Sequence, residues 1–227
     1  MKAIKTILFD VDGTLLDFDM YEIAAFQHAC NTHDILFSDA LYECYHAINK
    51  NLWKRHERGE VTREELIYMR FRQLFHENKL ICDVYSFEEV YQEELAKGCH
   101  YIDGAVEVLA YLKNRYSLYF VTNGIYRTQV KKIHTAKLDT YVQDIFISEE
   151  IGYQKPRKEY FEKCFQKIED FQKTQTMIVG DSLSSDMKGG NNAGIYTCWF
   201  NPKMERNQHE AHVDYEIHQL NELLHLL

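Results

Sequence analysis

The chain has 227 residues, 45% of them hydrophobic and 27% charged, which suits one domain or a core with a smaller partner domain. Its 35 acidic against 26 basic residues leave a net charge of −9, which excludes a nucleic acid polymer as partner and leaves room for a small phosphorylated metabolite where metal or local positive charge is supplied. The six cysteines (Cys30, Cys44, Cys82, Cys99, Cys164, Cys198) are scattered without a CxxC, the usage of a cytoplasmic protein with reduced thiols. The opening MKAIKTILFDVDG is too short in apolar residues for a signal segment, and no run approaches the ~20 apolar residues of a membrane span.

In chain order, Ile7-Leu8-Phe9 reads as a buried strand that stops at Asp10, Asp12 and Gly13. From Asp17 to about Gly98 apolar residues recur at helical spacing, as in Leu41-Tyr45-Ile48-Leu52 and Leu66-Met69-Phe71-Leu74-Phe75. Thr62-Arg63-Glu64-Glu65 reads as a capping box opening the third helix, and Ser86-Phe87-Glu88-Glu89 as one opening a fourth. Four helices in residues 17–98 form a small bundle, inserted after the first strand of a domain made of residues 1–16 and 99–227. That domain continues with a helix over 105–115, a strand at Ser117–Val121, a basic helix at Arg127–Lys137, a strand at Asp144–Ser148 and a helix at Arg157–Ile168. A strand at Thr176–Val179, a helix over 184–193 and a fifth strand at Tyr196–Phe200 follow; the tail Glu205–His218 reads as solvated, and the last nine residues as a closing helix. Strands alternating with helices predict an α/β fold, a doubly wound parallel sheet, with ligands at the carboxyl ends of its strands.

Three strand ends carry polar residues, at Asp10, Thr122 and Asp181, and these ends should meet. Each has an ordinary reading of its own: an acidic turn, a β-branched strand residue and a helix N-cap. Lys155 alone would be a solvated lysine. Two carboxylates at the end of a buried strand are costly unless a cation sits with them. His209 and His212 lie three apart, but QHEAH is not the zinc motif HExxH, so no zinc site is expected there.

Taken together the strings resemble the four motifs of the haloacid dehalogenase superfamily, in the family's order: DVDGTL at Asp10, VTNG at Thr122, QKPRKEYF at Lys155 and GDSLSSDMKGGNNAG at Asp181. The resemblance implies an aspartate-dependent phosphohydrolase whose helical insert is the cap of the first subclass. It makes Asp10 the nucleophile and Asp12 the general acid and base. It gives Thr122, Asn123 and Lys155 to the phosphate and Asp10, Asp12 and Asp181 to Mg²⁺, with Asp186 orienting the metal's surroundings. A true dehalogenase needs neither Asp12 nor metal. NLWKRHERGEVTREELIYMRF and TCWFNP resemble the bacterial pyrimidine 5′-nucleotidase branch, which implies nucleoside 5′-monophosphates as substrates; a phosphatase or phosphomutase for small sugar phosphates or phosphoglycolate, and a non-catalytic binding protein, are the alternatives. Within the insert, Trp53 is expected to stack on a base and Arg70 to meet charge, against readings as a core aromatic and a salt-bridge partner. A monomer or weak homodimer is expected.

Overall fold

The computed structural model describes residues 4–208 and 210–227. The chain divides into two compact units, one of residues 1–18 and 99–227 and one of residues 19–98, so the first boundary falls two residues later than the sequence reading places it.

The first unit is built on β1 (Thr6–Phe9). After the other unit's helices, α1 (Phe18–Thr32), α2 (Asp39–Glu57), α3 (Arg63–Glu77) and α4 (Val84–Leu95), it resumes with α5 (Ala105–Leu112), β2 (Ser117–Thr122), α6 (Tyr126–Thr135) and β3 (Asp144–Ile147). The short α7 (Ser148–Ile151) and α8 (Lys158–Phe165) lead to β4 (Thr176–Gly180). A π-helical turn at Leu183–Met187 runs into α9 (Lys188–Ala193), followed by β5 (Tyr196–Phe200), β6 (Tyr215–Ile217) and α10 (Leu223–Leu226).

The strands form one parallel sheet in the order β3-β2-β1-β4-β5-β6. The predicted strands are all present, and β6 is an addition: Tyr215–Ile217, in the tail read as solvated, pairs with β5. β1 lies between β2 and β4, with Phe9 opposite Phe120 on one side and Val179 on the other. Chain order reverses at β1, so a crevice opens beyond the carboxyl ends of β1, β2 and β4, where α/β sheets bind ligands. The burial that fixes this frame is apolar: Leu8, Tyr119, Val121, Phe146 and Ile178 of the strands pack with Tyr160, Phe161, Phe165 and Trp199.

The second unit is held by stacked aromatics, Phe26 on Tyr45 at 4.6 Å and Tyr45 on Phe71 at 5.3 Å between ring centroids. Its third helix opens with the expected capping box, in which the Thr62 hydroxyl accepts from the Glu65 N–H and the Glu65 carboxylate accepts from the Thr62 N–H. The fourth helix starts three residues before the predicted Ser86: Asp83 is its N-cap and accepts from the Ser86 N–H. Either residue has the chemistry of a cap. No helix among the described residues is long and apolar enough to cross a membrane.

Candidate active site

β1 delivers Asp10 to the crevice because its apolar residues Ile7, Leu8 and Phe9 are wholly buried, and Asp10 extends the ladder by donating its N–H to the Val179 carbonyl at 2.9 Å. The chain then turns at Gly13, whose φ of 81° lies in the left-handed region that glycine enters without cost. A side chain there would also collide with Asp181, since an added Cβ would stand 2.7 Å from its Oδ2. Gly13 therefore lets the first loop and the loop after β4 approach each other.

Asp10, Asp181 and Asp186 bring one carboxylate oxygen each within 4.8 Å of one another. Lys155, 1% exposed, donates to Asp10 Oδ1 at 2.6 Å, to Asp186 Oδ1 at 2.6 Å and to the Val121 carbonyl at 2.8 Å, so all three ammonium protons are used. Asp186 takes a further bond from the Ser182 N–H at 3.2 Å, and Thr14 donates its hydroxyl to Asp181 at 3.3 Å. Asp186 thus belongs to the cluster itself, as the second carboxylate on Lys155.

One ammonium among three carboxylates leaves an excess of negative charge in a desolvated place. Burial pushes the Asp10 carboxyl well up, against the pull of Lys155 and with the push of Asp186 and Asp181. Burial and Asp186 push Asp181, the most accessible of the three, up to about 7. For Lys155 burial opposes the charge, but Asp10 and Asp186 outweigh it and the ammonium is held above its ordinary range. The three carboxylates are hard oxygen donors, and a divalent cation such as Mg²⁺ fits both that donor set and the surplus charge.

Thr122 ends β2, 2% exposed, and its oxygen accepts from the Gly124 N–H at 3.1 Å and from Gln129 Nε2 at 2.6 Å, which leaves its own O–H to donate. The Asn123 carboxamide is engaged at both ends by the Lys155 main chain, donating to its carbonyl at 2.9 Å and accepting from its N–H at 2.9 Å. Asn123 is the clasp that ties the loop after β2 to the loop bearing Lys155. Asp12 is held from α6, its carboxylate accepting from Gln129 Nε2 at 2.6 Å and ion-paired with Lys132.

Gln129 and Lys132 were not singled out in the sequence, where α6 reads only as a basic helix. Their three-residue spacing, placing both on one helix face just after VTNG, was the available signal. In the second unit, Trp53 is half-buried against His56, with ring centroids 5.8 Å apart. Arg70 departs from its expected role: it is 2% exposed, bonded to Glu88 through Nη2 at 2.8 Å to each oxygen and to Asn49 at 3.1 Å, and a guanidinium so enclosed is a structural ion-pair partner. His209 lies outside the described residues, and His212 is paired with Asp214 at 3.3 Å.

A doubly wound parallel sheet with an inserted helical unit, and an aspartate cluster with its lysine at the strand ends, are the architecture of a hydrolase with an α/β core. The profile of the haloacid dehalogenase-like hydrolases matches residues 7–200, and the chain belongs to that family. It is 41% identical to the HAD-hydrolase YfnB of Bacillus subtilis over the whole of this chain and 97% of that protein. A crystal structure of YfnB bound to magnesium superposes with a TM-score of 0.95 over 100% of this chain and 99% of that one. The pyrimidine 5′-nucleotidase PynA of Streptococcus pneumoniae is 38% identical over 98% of this chain and 94% of its own length, and the pyrimidine 5′-nucleotidase YjjG of Escherichia coli is 28% identical over 97% and 96%.

Proposed function

We propose that the protein is a Mg²⁺-dependent phosphomonoesterase that works through phospho-Asp10, with pyrimidine nucleoside 5′-monophosphates as its substrates. The observation that carries this reading is the position of the Lys155 ammonium, 2.6 Å from both Asp10 and Asp186, where it would cancel charge on a phosphoryl group brought to Asp10. Hydrolysis of a phosphate monoester is among the slowest uncatalysed reactions, and most of the acceleration has to come from positioning and charge cancellation.

The Asp10 carboxylate attacks phosphorus, the ester oxygen leaves with a proton from Asp12, and an aspartyl phosphate remains; Asp12 then takes a proton from the water that attacks the same phosphorus. The Thr122 hydroxyl, the Asn123 backbone N–H and the Lys155 ammonium bind the phosphoryl oxygens. Asp10, Asp181 and the main-chain carbonyl of Asp12 would hold Mg²⁺, with Asp186 fixing Lys155 and the surrounding water. When bound, the ion supplies the positive charge that lets a phosphate dianion approach a carboxylate.

The substrate class is supported by the nucleotidase relatives along nearly the full chain. The test is phosphate release from a panel of nucleoside 5′-monophosphates, sugar phosphates and phosphoglycolate, with Mg²⁺ and with a chelator. Release from UMP, CMP or dTMP well above that from sugar phosphates, abolished by the chelator, is the expected result. Faster release from sugar phosphates would overturn the substrate class, and release from none would return the chain to the binding-protein alternative.

A further inference from the structure

We infer that Gln129 and Lys132 are positioning residues that fix the Asp12 carboxylate and tie it to the phosphate-binding Thr122; this rests on the reading of Asp12 as proton donor under the proposed function. Lys132 is 1% exposed, and a buried ammonium is costly unless paired. Its carboxylate partner is Asp12, through Oδ1, while its Nζ lies 5.7 Å from the centre of the Phe18 ring. Gln129, also 1% exposed, takes the other Asp12 oxygen at 2.6 Å.

The two donors of that one amide serve different parts of the site. One reaches Asp12 Oδ2 and the other Thr122 Oγ1, each at 2.6 Å. The orientation of the amide is fixed by chemistry, since its reversal would set a carbonyl oxygen against a carboxylate. Gln129 Oε1 is left buried without a hydrogen-bond partner, a cost that packing alone does not recover. The chain also keeps room for this arrangement: a Cβ on Gly124 would stand 2.1 Å from Gln129 Nε2. Glycine in the VTNG segment is thus the space into which the amide reaches.

With both oxygens held from one helix face, Asp12 has a defined position relative to Thr122, and so relative to a phosphoryl group bound there. Removing either holder leaves a carboxyl free to rotate, and the step that suffers is protonation of the leaving oxygen. That loss depends on the leaving group. An alkoxide, as from a nucleotide, needs the proton; p-nitrophenolate departs as a stable anion and does not.

The test compares kcat/KM for a nucleoside 5′-monophosphate and for p-nitrophenyl phosphate in the Mg²⁺-loaded wild type and in Lys132→Met, Lys132→Arg and Gln129→Leu, with Asp12→Asn as reference. General-acid catalysis contributes roughly 10²- to 10⁴-fold. The alkyl-to-aryl ratio is expected to fall about 10²-fold in Lys132→Met, Gln129→Leu and Asp12→Asn, and to recover partly in Lys132→Arg. Equal losses on both esters, or none, would assign the pair a structural role and overturn the inference. Should Lys132→Met not fold, Gln129→Leu, which removes no charge, carries the same comparison. Wild-type enzyme that hydrolyses neither ester would overturn the phosphatase reading and this inference together, an outcome distinct from an unchanged ratio.

Discussion

Lys155 is enclosed by acceptors on three sides, and its ammonium is the counter-charge for Asp10 and Asp186 together. Burial raises the Asp10 carboxyl well above the ordinary range, so the ionised form that would attack phosphorus under the proposed function is the form the fold disfavours. Asp10→Asn removes the nucleophile and that penalty at once. We expect a loss of roughly 10⁴-fold or more in kcat with a melting temperature no lower than wild type, checked by phosphate release and calorimetry on one preparation. Asp181 gives the matching pH dependence. Its folded value of about 7 lies above its ordinary 3.8, so its contribution to stability is present below about pH 4 and lost as pH rises through 7, partly screened by the solvent it retains. Protons and metal compete for the same oxygens, so the gain in melting temperature on adding Mg²⁺ to metal-free protein should be larger at about pH 8 than at about pH 5.5. An equal gain at both would separate Mg²⁺ from these carboxylates. At this scale the meeting of Asp10, Lys155, Asp181 and Asp186 was legible only through the four motifs taken together, because each residue alone has an ordinary structural reading as a turn, cap or solvated charge. The Asn123 clasp was hidden, because sequence does not tell which amide partner lies across a loop.

Among the elements, the helical unit has a polar interior beside its aromatic stack. Glu22, fully buried, accepts from Asn49 at 2.6 Å and from Tyr42 at 3.1 Å, and pairs with His46 at 2.7 Å; Asn49 passes the network to Arg70 and thence to Glu88. Arg70 also lies 4.8 Å from the centre of the Tyr91 ring and 5.0 Å from that of Phe71. Removing one member of a buried pair leaves an uncompensated charge, so Glu88→Ala should destabilise the protein by about 3–5 kcal/mol, read by urea unfolding. The Thr62 capping box makes a smaller, local contribution, and Thr62→Ala should cost about 1 kcal/mol. A loss at Glu88 no greater than at Thr62 would show the pair to be solvent-screened. The helices themselves were legible from apolar spacing, and Thr62 from its box. The cap at Asp83 was less legible, because Asp83 and Ser86 both have cap chemistry. β6 was missed for a different reason: three residues in a polar tail carry too little alternation to signal a strand, and their pairing with β5 is imposed by the sheet edge.

For the whole molecule, the alternation of strands and helices makes the sheet parallel, and the observed strand order places β1 where chain direction across the sheet reverses. Asp10, Thr122 and Asp181, up to 171 residues apart in sequence by their numbers, come to one crevice because β1, β2 and β4 are adjacent and in register. The surplus of acidic residues in the chain is matched locally by a surplus at the site, and under the proposed function a cation with a phosphate ester is the ligand pair it takes. The account turns on a covalent bond between Asp10 and phosphorus. Enzyme mixed with Mg²⁺ and a pyrimidine nucleoside 5′-monophosphate, quenched in acid within one turnover and digested for peptide mass analysis, should carry one phosphoryl group on Asp10, lost on treatment with hydroxylamine. Rapid turnover with the Asp10 peptide unmodified at every quench time, and undiminished phosphate release by Asp10→Asn, would contradict it.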